Sequence, residues 1–78
     1  MTDIERLTNE INAVQATYDR HVGHLQRLNR YYDECPDGDP RKTKVLADIE
    51  RVSQLKNIAE NHLGELIDEL VAAENAES

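Results

Sequence analysis

Along the first half of the chain, apolar or amphipathic residues recur at alternating intervals of three and four: Ile4, Leu7, Ile11, Val14, Tyr18, His21, Leu25, Leu28 and Tyr32. That spacing draws one continuous stripe down a helix and demands a partner helix to cover it. The helix is expected over about residues 3–33. Thr2-x-x-Glu5 has the form of a capping box, and Asp3 and Glu5 suit the positive end of the helix dipole. Gly23 falls at an outward position, where glycine costs about 1 kcal/mol relative to alanine and would permit a bend or a close approach. At 1.5 Å per residue such a helix makes a rod about 45 Å long.

The stripe stops at Glu34-Cys-Pro-Asp-Gly-Asp-Pro40. Pro36 ends the first helix, Asp37-Gly38 turns the chain, and Asp39-Pro40 supplies an N-cap and an N1 proline. A turn over 34–39 is so short that the helices it joins must lie antiparallel. The second helix is expected over about 40–73, with Val45, Ile49, Val52, Leu55, Ala59, Leu63, Leu66, Ile67 and Leu70 inside an arc of about 120° on a 3.6-residue wheel that Lys56 interrupts. Folding about the turn pairs residues whose numbers sum to about 76. Lys56 then stands opposite Tyr18 and His21 in a polar layer midway along the rod. An acidic tail occupies 74–78, and the chain from Ala72 to Ser78 is expected to fray.

The predicted fold class is therefore all-α: an antiparallel two-helix hairpin of coiled-coil type, forming one domain over 1–78. Leu46, Ile58 and Val71 lie outside the stripe, and Ile58 with Leu55 and His62 widens the apolar face on one side. Two helices leave that surface uncovered, so the pattern predicts a homodimeric four-helix bundle, or docking on a helical groove of another protein.

Composition adds limits. A chain of 78 residues buries little surface without a disulfide, a metal or a second subunit, and its single cysteine, Cys35, has no intramolecular partner. A lone thiol beside a turn proline points to a reducing, cytoplasmic setting. The start, Met-Thr-Asp-Ile-Glu-Arg, has neither the basic nor the apolar region of a secretory signal. No apolar run approaches the roughly 20 residues that span a bilayer. The net charge of −7 is concentrated beyond Lys56, the last basic residue, where Glu60, Glu65, Asp68, Glu69, Glu74 and Glu77 have no cation among them. Acids so placed disfavour a phosphate backbone, and with neither Phe nor Trp the chain offers little for bases to stack on. Direct nucleic-acid binding is not expected.

Candidate chemistry is sparse. His21 and His24, at i and i+3, have a spacing that suits zinc or nickel, with Asp19 and Asp48 nearby, but His21 reads more simply as a member of the core stripe. Tyr31 faces outward beside Arg27 and Arg30, the composition of an interface hot spot. Arg41, Lys42 and Lys44 open the second helix against its dipole. Pairing across the helices, of Arg41 or Lys42 with Asp33 and of Arg6 with Glu65 or Asp68, would account for such charges. No Ser-His-Asp or Cys-His set has a pocket to hold it, so neither catalysis nor a cofactor or metal is expected.

These readings predict a non-enzymatic protein-interaction module, a small helical regulator or adaptor. Arg27, Arg30, Tyr31, Ile58, His62, Glu65, Asp68 and Glu69 are the residues expected to meet a protein partner. Two alternatives follow from the same features: an acidic inhibitor of a nucleic-acid-handling enzyme, of the phage or DNA-mimic kind, and a secretion co-chaperone. In size and outline the chain is similar to the helical co-chaperones of type III secretion needles and to plasmid copy-control hairpin dimers. The likeness extends to outline and to no residue motif.

Overall fold

A computed structural model describes residues 2–77, and Ser78, the end of the expected acidic tail, lies outside the described residues. The chain forms two helices, α1 over Asp3–Glu34 and α2 over Pro40–Glu77, packed side by side as a hairpin. Thr2 caps α1: its Oγ1 accepts the N–H of Glu5 at 3.2 Å, the forward half of the capping box. At the other end Cys35 is extended (φ −73°, ψ 132°). A residue before proline is pushed out of the helical region, so Pro36 stops the helix one residue ahead of itself. The Cys35 N–H still donates to the carbonyls of Tyr31 and Tyr32 at 3.1 and 3.2 Å.

The connection is a single tight turn. Asp39 N–H donates to Pro36 C=O at 3.1 Å, and Gly38 at the third position has φ +87°, the requirement of a type II turn. Asp39 then caps α2, its Oδ1 accepting the Arg41 N–H at 2.9 Å. Lys42 folds back over the Tyr32 ring, 4.6 Å from its centroid, and pairs with Asp37 at 2.8 Å. Cys35 is buried beneath this turn. Its burial argues against the intermolecular disulfide that an exposed turn thiol would offer.

Val45, Val52, Ala59 and Leu66 are buried at intervals of seven, and Ile49, Lys56, Leu63 and Leu70, four residues further on, are half-buried. Leu55, counted with the core stripe, is 43 % exposed, and Ile67 is 44 % exposed. The reason is periodicity. An arc drawn on a straight 3.6-residue wheel drifts about 20° per heptad and admits both residues, whereas a seam that stays on its partner keeps a seven-residue repeat. Lys56 does not interrupt that seam but occupies one of its half-buried positions, which a long amphipathic side chain can fill with its stem.

Residues 74–77, where fraying was expected, continue α2. Alanine and glutamate are strong helix formers, and no glycine or proline follows Gly64. The rod is accordingly 60 Å long and 14 Å across, longer than the first stripe alone implies. No helix among the described residues is long and apolar enough to cross a membrane.

The core is thin. Among the described residues only Leu7, Cys35, Val45, Val52, Ala59 and Leu66 are buried. The accessible surface is 5707 Å², whereas a compact monomer of this mass exposes about 4,800 Å².

Candidate functional site

Exposed apolar residues lie on both flanks of the hairpin, Leu55 and Ile58 on one and Leu46, Ile67 and Val71 on the other. On the flank of Leu55 and Ile58, midway along the length of the hairpin, α1 and α2 line an open groove of about 380 Å³. Ala13, Val14, Thr17 and His21 form its α1 wall, and Leu55, Ile58, Ala59 and His62 its α2 wall. Two of the residues in the α1 wall, Ala13 and Thr17, are small. Thr17 spends its hydroxyl on its own helix, donating to the Ala13 carbonyl at 3.2 Å, which turns a polar residue into a methyl-bearing one for the groove. The α2 wall is more exposed, with Ile58 at 65 % the most exposed of the large apolar residues.

No family model, curated protein or solved structure matches the chain. A functional reading therefore rests on this geometry.

The groove brings together Ile58 and His62 from the residues expected to meet a partner, and adds His21 from the core stripe. Ala13 and Thr17 are the members that the hydrophobic pattern misses. Their signal is small size at i and i+4 on the same side as Leu55 and Ile58, legible only once the two flanks are brought face to face. His24 is not part of the lining. Among the described residues no three His, Cys, Asp or Glu side chains gather at metal-binding spacing.

The polar layer takes a looser form than expected. Tyr18, His21 and Lys56 are each half-buried, but no hydrogen bond joins them among the described residues. Among the described residues no buried side-chain nitrogen or oxygen lacks a partner. The layer's polar ends are therefore wet.

The remaining expected partner residues stay apart. Tyr31 is 44 % exposed at the turn end of the hairpin. Arg27 and Arg30 are exposed, and the Arg27 guanidinium folds back beside Gly23, 3.7 Å from where a Cβ would stand. Glu65, Asp68 and Glu69 are exposed in the opposite half of the rod.

The ion pairs expected across the helices are absent among the described residues. Arg6 pairs instead with Glu10 at 3.1 Å, Arg41 with Asp39 at 2.8 Å and Arg51 with Asp48 at 3.4 Å. Residues three and four apart on one helix are already neighbours, whereas a pair across the outer flank must order two long side chains. At the turn, the Arg41 side chain and then its backbone N–H hold the Asp39 carboxyl below the usual carboxylate range, and the Lys42 ammonium does the same for Asp37.

Proposed function

We propose that this chain is a non-enzymatic protein-interaction module whose working form is a four-helix bundle of two hairpins, a small regulator or adaptor acting through the surfaces the bundle leaves free. The observation that carries the reading is the groove beside Leu55 and Ile58, set on a rod that exposes about 900 Å² more than a compact monomer of its mass. That excess is close to the roughly 800 Å² per partner of a standard interface. A lone two-helix rod with so thin a core is marginal, and a second hairpin supplies the missing burial.

The test is light scattering behind size-exclusion chromatography over a dilution series, with circular dichroism on the same samples. A helical species of twice the 8.9 kDa chain mass is expected. A strictly monomeric, helical and heat-resistant protein overturns the reading.

A second reading, an acidic ligand for a basic protein surface such as the groove of a nucleic-acid-handling enzyme, draws support from the flank opposite the groove. Heptad position places Glu5, Asp19, Asp33, Glu50, Glu60 and Glu74 there with no lysine or arginine among them. Binding through that flank weakens steeply with salt, and binding that is indifferent to salt overturns it.

A further inference from the structure

The groove has a position and a charge pattern that select one occupant in one orientation. Ile58 and Ala59, in its α2 wall, are the two central residues of the 38-residue α2. A two-fold axis through the groove and perpendicular to the rods therefore lets two rods that run in opposite directions overlap over their full length, the turn of each beside the open end of the other. A rod 60 Å by 14 Å offers a face on the order of 800 Å², the size of one side of a standard interface.

Charge separates this arrangement from its alternatives. Residues 19–57, the turn half, hold eight cations and seven acids, while the open half holds nine acids and a single cation, Arg6. A parallel pairing sets two strongly acidic halves side by side. An antiparallel pairing sets each against the half that carries nearly all the cations.

The complementarity is sharper on the groove flank itself, traced along the rod by the heptad positions of the groove residues. Towards the turn this flank bears Arg20, Arg27, Arg41, Lys44 and Arg51 against two acids, Glu34 and Asp48, a net of +3. Towards the open end it bears Asp3, Glu10, Glu65 and Glu69 against Arg6, a net of −3. A two-fold operation maps +3 onto −3. The opposite flank, bearing acids alone, has no such self-complementarity.

We infer that the groove is the centre of an isologous, antiparallel interface with a second copy of this chain, α1 lying on α1 and α2 on α2, Ile58 of each copy seated against Leu55 and Ile58 of the other and the basic turn half of each lying on the acidic open half of its partner. The inference rests on the self-association proposed above and adds its face, axis and direction.

The experiment labels the exposed turn. In a Cys35→Ala background, Asp37→Cys, at a side chain 99 % exposed, carries a nitroxide, and pulsed electron spin resonance reads the distance between labels in a sample whose mass is measured in parallel. A two-chain mass with labels about 60 Å apart, the length of the rod, is expected. A two-chain mass with labels about 20 Å apart, two helix diameters, overturns the antiparallel arrangement and leaves self-association standing. A one-chain mass overturns both. Unlabelled variants locate the face: Ile58→Glu raises the dimer dissociation constant at least about 30-fold, the loss typical of a central interface residue, while Ile67→Glu on the other flank leaves it within about threefold. The reverse ranking overturns the groove as the interface.

Discussion

Individual residues in this hairpin divide by whether they touch the partner helix. Val52, 2 % exposed in the seam, and Leu66, 4 % exposed, carry much of the scarce burial. Leu66→Ala is expected to cost about 2–3 kcal/mol, near the low end for a buried leucine because the surrounding core is thin, as read by urea denaturation. The glycines inside the helices show the opposite behaviour. A Cβ on Gly64 meets nothing within 4 Å, and one on Gly23 makes only an ordinary contact with the movable Arg27 guanidinium. Gly64→Ala and Gly23→Ala are each expected to stabilise the fold by about 0.5–1 kcal/mol, and a loss of stability in both would mean that these positions approach another surface closely. Gly38 differs because its φ of +87° is strained for any side chain; Gly38→Ala should destabilise by about 1 kcal/mol or more despite the open space around it.

At the scale of elements, both helices owe their starts to caps and their meeting to one turn. Thr2→Ala removes the acceptor for the Glu5 N–H and is expected to cost about 1 kcal/mol, measured by thermal melting and localised by faster amide exchange in the first turn of α1. The turn adds a pH dependence with a definite sign. Asp37 and Asp39 have carboxyls lowered by Lys42 and Arg41, so the stability they contribute is complete above the ordinary aspartate range and is lost as pH falls through their lowered folded values. Lys42, raised chiefly by its hydrogen bond to Asp37, works in the other direction: its contribution is complete below the ordinary lysine range and is lost as pH climbs through its raised folded value. Carboxyl carbon shifts followed by nuclear magnetic resonance should place Asp37 and Asp39 below the ordinary range of an exposed aspartate. Asp39→Asn should keep the cap while removing its share of the acid dependence.

At the scale of the whole molecule, a 60 Å rod only two helices thick has a ratio of surface to core that suits a component better than a finished domain. If the folded form is a pair of hairpins, its melting temperature must rise with protein concentration, since dilution favours the dissociated and marginal chain. A melting temperature constant over a hundredfold dilution from micromolar concentrations would contradict that. The antiparallel pairing proposed above would leave the acid-only flank of each hairpin facing outward, where Leu46 and Ile67 are 43 % and 44 % exposed. A regulator built in the proposed way would meet its target through that outer flank rather than through the groove.

The sequence by itself determined the elements. The three-four spacing from Ile4 to Tyr32, the Pro36–Pro40 turn and the caps at Thr2 and Asp39 are local properties, set by sterics and hydrogen bonds within a few residues, so two helices and a reversal are legible without any tertiary information. Which residues of α2 face α1 was not local. Leu55 and Lys56 are adjacent, and hydrophobicity alone favours the leucine. The demand that one seam follow its partner for the length of the rod puts Lys56 on it and turns Leu55 out to the flank, where it lines the groove with Ile58. The shape of the groove, the small residues Ala13 and Thr17 opposite that pair, and the choice of local over cross-helix ion pairs were likewise decided only when two helix surfaces met, because each depends on distances between residues some forty apart in the chain.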